Sequence, residues 1–300
     1  MNYDNLIELL DRAEVEGSKH FNYPEAENIC KGVLAQMHGE DTIKEAGKLR
    51  ARALFLFADA LMRQGKIDDS LPYAESALST AQKFNYSDIE AKSTGLIGSI
   101  YLNCSNNIPA IDYMKRAVGL HEKNNNRIGA ARNLSNIGAA YANMEDNVPA
   151  LEYLTRALAI LEAEGDTISV AITRYAIGGI YVSLVLYEKA LEEFKISLRL
   201  FEELKVNSWL KLNYNSIGAV YYYLGELNHA LDYYSKVLLM LEEHGETDGF
   251  PTIVGNIGLV YKDLGEYDTA MEYYGKVLAH HEKYGDDDYY GFFYGSLGEK

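Results

Sequence analysis

Amphipathic segments separated by short polar turns follow one another along the chain. In residues 133–144, NLSNIGAAYANM, the residues Leu134, Ile137, Gly138 and Tyr141 recur at steps of three and four, which is typical of an amphipathic α-helix. A short turn follows, and residues 148–165 again place their Ala and Leu side chains on one face. The pattern predicts pairs of helices joined by tight turns.

This pattern returns with a period of 40 residues. Its clearest marker is a glycine that returns six times, at Gly98, Gly138, Gly178, Gly218, Gly258 and Gly298. An isoleucine precedes the first five of these glycines and a tyrosine follows them three residues later, while an alanine recurs at Ala110, Ala150, Ala190, Ala230 and Ala270. Internal repetition of this length is the mark of a stacked array. The small residues indicate places where two helices approach too closely for a larger side chain.

The pattern resembles the tetratricopeptide repeat. The resemblance rests on apolar-Gly-x-x-Tyr in the first helix and on small and aromatic residues in the second, such as Ala150, Tyr153 and Ala157. The family's Trp near the repeat start is absent, and a Glu, for example Glu162, stands where its closing Pro is expected. The long second helices are similar to those of kinesin light chains, Pins/LGN-type adaptors and bacterial peptide-sensing regulators. The resemblance implies an all-α, right-handed superhelical solenoid of helix-turn-helix repeats.

Counting the repeats predicts seven helix pairs and a truncated final helix in one continuous solenoid over residues 1–300. The expected repeats are residues 3–40, 44–84, 88–124, 128–164, 168–204, 208–244 and 248–284, with a partial repeat at 288–300. The chain ends just after Gly298, with an aromatic first helix and no second helix to cover it. Because solenoids normally end in a polar cap, we expect a fragment of a longer protein.

Charge and composition narrow the class of protein. The chain carries 28 Lys and Arg against 44 Asp and Glu, a net charge of −16, which disfavours nucleic acid as a partner. The charge is uneven, since residues 51–150 are neutral and residues 201–300 carry a net −10. No apolar run is long enough to span a membrane, and the first residues lack the features of a secretory signal. We therefore expect a cytoplasmic protein with no membrane partner.

The sequence contains no recognisable catalytic or metal-binding motif. The seven histidines lack zinc-site spacing, and the adjacent His280 and His281 would point about 100° apart on a helix. The glycines are spread at the repeat period rather than grouped as a phosphate-binding loop. Two cysteines do not make a disulfide framework. We expect no enzyme activity, no metal and no cofactor here, and any catalytic domain would lie downstream of Lys300.

The resemblance further implies that first helices line a concave groove, where one position carries a cation in three consecutive repeats. Arg52, Lys92 and Arg132 stand at this position, and Arg174 lies near it in the next repeat. Aligned cations favour carboxylate or phosphate groups on a ligand. The alternative is that they are solvated or pair with acids on neighbouring helices.

Amide and aromatic side chains occupy other expected groove positions. Asn136, Asn215 and Asn256 can bond the backbone of an extended peptide, or can instead bond the adjacent first helix. Tyr175 and Tyr222 would supply apolar walls with polar tips, with packing between repeats as the alternative for Tyr222.

These features favour a non-catalytic protein- or peptide-binding module that holds an extended or acidic peptide in its concave groove. By analogy with long tetratricopeptide arrays that precede kinase or cyclase domains, we expect the sensor or scaffold region of a larger signalling protein. The alternative is a structural scaffold without a dedicated peptide ligand, which would self-associate through its aromatic C-terminal helix.

Overall fold

The computed structural model describes residues 3–18, 20–37, 44–247 and 249–284. These residues form fourteen α-helices and no β-strand, which confirms the predicted all-α repeat fold. The helices are α1 (Tyr3–Ser18), α2 (Tyr23–Gln36), α3 (Lys44–Arg63), α4 (Ile67–Phe84), α5 (Ser87–Asn103), α6 (Asn107–Lys123), α7 (Arg127–Asn143), α8 (Asn147–Glu164), α9 (Thr167–Ser183), α10 (Tyr187–Leu204), α11 (Asn207–Tyr223), α12 (Leu227–His244), α13 (Phe250–Asp263) and α14 (Tyr267–Tyr284). Odd-numbered helices are the first helices of the repeats, and even-numbered helices are the second.

The chain divides into two compact units, residues 1–169 and 170–300. In the first unit each helix from α1 to α8 packs against the next one, and α1, α3, α5 and α7 also pack against one another in that order. In the second unit, α10 to α14 likewise pack in chain order. One continuous solenoid over residues 1–300 stays a prediction. The partial repeat at 288–300, with its aromatic helix, lies outside the described residues.

Helix ends return every 20 residues, at half the period seen in the sequence. Eleven described residues at this step have a positive φ: Gly65, Asn85, Ser105, Asn125, Glu145, Gly165, Val185, Lys205, Gly225, Gly245 and Gly265. The N–H of the residue that follows each of them donates to a carbonyl five residues earlier, as from Lys66 to Leu61 at 3.0 Å. This is the Schellman motif, in which a left-handed residue ends a helix. Each repeat is therefore built from two halves of equal length.

The repeated glycine lies where the two helices of a repeat approach most closely. A Cβ on Gly138 of α7 would lie 2.6 Å from Cγ of Leu154 and 3.0 Å from the carbonyl oxygen of Ala150, both on α8. The contact confirms that the glycine is kept because a larger residue has no room. The buried residue packed over the glycine differs among the repeats and is, in chain order, Met114, Leu154, Phe194, Tyr234 and Tyr274.

The repeated tyrosines are packing residues. They stack in pairs between the two helices of a repeat, with ring centroids 5.5 or 5.6 Å apart, in Tyr101–Tyr113, Tyr141–Tyr153, Tyr221–Tyr233 and Tyr261–Tyr273. In the repeat formed by α9 and α10, the second tyrosine of this pair is replaced by Glu193.

Candidate functional site

Arg52 and Lys92 meet at a shared carboxylate on the face formed by α1, α3, α5 and α7, the first-helix face of the first unit. Nη2 of Arg52 lies 2.6 Å from Glu14 and 2.8 Å from Asp11, both on α1. Nζ of Lys92 lies 3.6 Å from the other oxygen of the Glu14 carboxylate. Glu14 therefore bridges two of the predicted groove cations, in an arrangement named here the Glu14 bridge.

A cleft of about 60 Å³ opens beside the Glu14 bridge, and its walls include Lys48, Phe55 and Asp88. The cleft suits a single small group such as a carboxylate, bound beside the two cations. Burial opposes the charged form of Arg52, but hydrogen bonds to Glu14 and Asp11 outweigh it and raise the pKa of the guanidinium. The cation of this subsite is therefore permanent.

Arg132 on α7 has a different partner. Its Nε lies 2.8 Å from a carboxylate oxygen of Asp166 and 3.0 Å from the hydroxyl of Ser169. The Arg132 side chain is 58% exposed, whereas that of Asp166 is 8% exposed. Arg132 is thus held at one side by the residues that lead from α8 into α9, and most of its guanidinium and stem still faces solvent.

The groove amides bond across neighbouring first helices. Nδ2 of Asn136 on α7 donates to the hydroxyl of Ser99 on α5 at 3.2 Å. Nδ2 of Asn256 on α13 lies 3.4 Å from Oδ1 of Asn215 on α11. These amides therefore make the hydrogen bond to an adjacent first helix that the sequence left open as the alternative to peptide binding. Each amide has two donor hydrogens and an acceptor oxygen, so one such bond uses only part of its capacity.

Tyrosines join first helices within the second unit. The hydroxyl of Tyr175 on α9 lies 2.9 Å from that of Ser216 on α11, and its ring contacts Trp209 with centroids 5.5 Å apart. Tyr222 donates to Asp263 of α13 at 2.7 Å. Burial, with this carboxylate next to it, raises the pKa of Tyr222 to about 12, so the hydroxyl stays protonated and a donor. Both residues bridge neighbouring repeats.

Arg174 on α9 pairs with Glu193 on α10 at 2.9 Å, and each side chain is about one-fifth exposed. In the next repeat the same two positions hold Tyr214 and Tyr233, whose rings lie 6.1 Å apart. An ion pair therefore stands where the following repeat has an aromatic pair.

Sequence reasoning missed the acids and hydroxyls that partner the groove residues. Glu14, Asp166 and Glu193 come from other helices or turns, and only the tertiary fold brings them to the cations. A signal existed for Glu193 alone, because it interrupts the tyrosines found every 40 residues at its position. The other partners left no comparable mark in the sequence.

The described residues offer little for other chemistry. Among them, no group of three or more His, Cys, Asp or Glu side chains could hold a metal ion. None of the described helices is long and apolar enough to cross a membrane. What the first-helix faces provide is a set of paired cations, amides and tyrosine hydroxyls, which are groups that recognise carboxylates and peptide backbone.

Comparison with known proteins identifies the repeat. Residues 214–244 and 252–279 match models of the tetratricopeptide repeat. No curated protein matches the chain in sequence. The chain therefore carries tetratricopeptide repeats, and the resemblance predicted from its sequence is confirmed.

Solved structures share the fold at low sequence identity. A Rap protein complexed with Competence and Sporulation Factor aligns with a TM-score of 0.69 and 21% identity, over 95% of this chain and 79% of that chain. NprR in complex with its cognate peptide NprX gives 0.59 and 17%, over 93% and 80%. A signal transduction ATPase with a tetratricopeptide repeat sensor, from Pyrococcus horikoshii, gives 0.67 and 15%, over 94% and 43%. These likenesses establish the fold.

Proposed function

We propose that the chain is a non-catalytic peptide-binding module whose first-helix faces hold an extended or acidic peptide. The Glu14 bridge carries the proposal, because Arg52 and Lys92 already hold one carboxylate between two helices. A ligand carboxylate offers these cations the same charge-assisted hydrogen bonds. Two proteins of the same fold, solved with Competence and Sporulation Factor and with the peptide NprX, support this function.

Each unit supplies its own contacts in this proposal. In the first unit Arg52, Lys92 and Arg132 receive carboxylates, and Asn136 bonds the peptide backbone. In the second unit Asn215 and Asn256 bond backbone, Tyr175 and Tyr222 form apolar walls, and Arg174 contributes charge. The cation of the second unit, Arg174, is paired with Glu193 of the same repeat.

Charge reversal of two cations tests the basic subsite. We expect Lys92→Glu with Arg132→Glu to weaken binding of a peptide of alternating Ala and Glu by more than tenfold. The reversal removes two attractive contacts and adds two repulsive ones. Fluorescence anisotropy with the labelled peptide measures the loss, and the same peptide with Gln in place of Glu shows how much of the affinity depends on charge.

A matched variant distinguishes the loss of local ion pairs from the effect of the protein's overall charge on peptide binding. Lys115→Glu with Lys123→Glu makes the same change of charge on the exposed surface of α6, a second helix. This control is expected to lose at most a small part of the affinity, and all variants are expected to keep their helical circular dichroism. Equal losses in the two double variants, or none in the first, would contradict the basic subsite.

Removing the internal carboxylate tests the same subsite in the opposite direction. Glu14→Gln leaves Arg52 and Lys92 without the shared charge, so the Ala-Glu peptide is expected to bind several-fold more tightly. Glu8→Gln on the exposed surface of the same helix is the control and should change nothing. A Glu14→Gln variant that binds like the wild type, or more weakly, would show that ligand carboxylates do not use this subsite.

We place this module in the cytoplasm, as the sensor or scaffold region of a larger signalling protein, without nucleic acid or membrane as a partner. The ATPase from Pyrococcus horikoshii, whose sensor is a tetratricopeptide repeat array and of which this chain covers 43%, supports such an arrangement. The reading frame beyond Lys300 tests it, since a stop codon there would remove the larger protein. Self-association through residues 288–300 is the alternative, and light scattering that finds a strict monomer would exclude it.

A further inference from the structure

Exposed apolar side chains cluster at the turns inside the helix pairs of the second unit. Between α9 and α10, Leu184, Val185 and Leu186 are 40%, 65% and 39% exposed. In the first unit the last two residues of the equivalent turns are Gly65-Lys66, Ser105-Asn106 and Glu145-Asp146. The same structural position is therefore polar or small in one unit and apolar in this repeat of the other.

Val185 is also strained. Its φ is 58°, in the left-handed region that disfavours β-branched side chains most strongly. The other ten residues at this 20-residue step are Gly, Asn, Ser, Glu or Lys. Glycine at this position would remove both the strain and the exposed apolar surface. Strain that persists without a folding benefit points to a functional surface.

The apolar surface extends to the neighbouring turns. Tyr223 at the end of α11 stacks on Tyr187 with centroids 5.5 Å apart, yet remains 57% exposed. Leu264 and Tyr267, which occupy the positions of Leu184 and Tyr187 two repeats later, are 37% and 65% exposed. We name this surface the turn edge: Leu184, Val185, Leu186, Tyr223, Leu264 and Tyr267.

The charges around the turn edge are mostly acidic. Five exposed carboxylates lie in or next to these turns, at Glu188, Glu226, Asp263, Glu266 and Asp268. The nearby cations are Lys189, whose ammonium lies over the Tyr181 ring, and the half-buried Lys262. A complementary partner therefore carries positive charge around an apolar centre. Anionic lipid and a second copy of this acidic chain are both disfavoured by like charge.

We propose that the turn edge binds a segment of a partner protein that presents apolar side chains flanked by Lys or Arg. The apolar residues supply the buried centre of the contact, and the carboxylates pair with the partner's cations at its rim. The proposal rests on the turns inside the helix pairs and does not require a peptide on the first-helix faces. The strained turn at Val185 keeps its apolar side chain pointing into solvent, where a partner can cover it.

A graft of residues from other turns of the chain tests the proposal. Leu184→Gln, Val185→Gly and Leu186→Asn together install residues that stand at these positions as Gln64, Gly65 and Asn106. The graft changes no charge and is expected to fold, because each residue already occupies an equivalent turn. The probe is a fluorescent helical peptide of Leu and Lys with its Leu residues on one face. We expect the graft to weaken binding of this peptide at least tenfold.

The control removes comparable apolar surface from the first unit. Met144→Gln with Val148→Gln replaces side chains that are 43% and 79% exposed, and this variant should bind the probe like the wild type. A probe with Glu in place of Lys should bind at least tenfold more weakly than the original. Unchanged binding by the graft, or an equal loss in the control, would overturn the proposal. The proposal would also be overturned if the wild type forms a dimer in sedimentation velocity, or binds phosphatidylserine vesicles, and the graft abolishes that association. The occupant of the turn edge would then be a second copy of the chain or a membrane.

Discussion

Two adjacent glycines in α9 provide a sharp test of how the repeats pack. Gly178 occupies the repeated glycine position, and a Cβ there would lie 2.7 Å from Cδ1 and Cε1 of the Phe194 ring on α10. Gly179 is the next residue of the same helix, and apart from its chain neighbours and the backbone of its own helix no described atom lies within 4 Å of the position its Cβ would take. Alanine at the two positions therefore differs only in the contact of one methyl group.

The two substitutions are expected to have opposite signs. Alanine in place of glycine inside a helix stabilises it by about 1 kcal/mol, and Gly179→Ala should show this gain in full. At Gly178 the methyl group meets a ring that is 2% exposed and has no space to move into. Overpacking of this kind costs about 3 kcal/mol, which leaves Gly178→Ala about 2 kcal/mol less stable than the wild type.

Urea unfolding, followed by the circular dichroism of the helices, compares the stability of the two variants with that of the wild type. The expected difference between them is about 3 kcal/mol, large enough to separate the transitions by more than the uncertainty of extrapolation. A Gly178→Ala midpoint at or above the wild type, or equal shifts in both variants, would refute the account of the close helix contact.

Three further predictions follow from single sites. Val185→Gly should stabilise the protein by about 1 kcal/mol, because glycine relieves the left-handed strain, and a higher midpoint in thermal unfolding checks it. Burial and then the charge of Lys92 lower the pKa of His121, so the unfolded chain binds more protons below about pH 6.5. Stability should therefore fall as the pH decreases through this range, and His121→Gln should flatten the slope in urea titrations. Arg174→Leu should cost about 2 kcal/mol by leaving Glu193 unpaired, whereas tyrosine at both positions, as in the next repeat, should restore the urea midpoint.

Most of the fold was predictable because its determinants are local and repeated. The apolar stripe of each helix and the glycine of each crossing return at the same step, so one repeat predicts the others. The turn at Val185 shows where this reasoning stops. Valine does not favour a positive φ, yet the flanking helices impose at that site the turn that Gly65 or Gly225 adopts readily. Tertiary context overrides local preference there.

The placement of the candidate residues on first helices was predictable, and their partners were not. The repeat register placed Arg52, Lys92 and Asn136 on first helices, which the structure confirms. It did not specify which residue each side chain would meet, since Glu14 and Ser99 come from neighbouring helices. Long side chains choose partners by fine geometry, which a repeat pattern does not encode.

The acid partners limit how an acidic ligand can bind. Glu14 holds Arg52 and Lys92, and Asp166 holds Arg132, so a ligand carboxylate exchanges one ion pair for another and gains little. For exposed pairs the net difference is on the order of 1 kcal/mol or less. An acidic peptide therefore needs hydrogen bonds to its backbone and apolar contacts for most of its affinity, with charge selecting among sequences. For this reason reversal of Lys92 and Arg132, which adds repulsion, is a stronger test than their replacement by alanine.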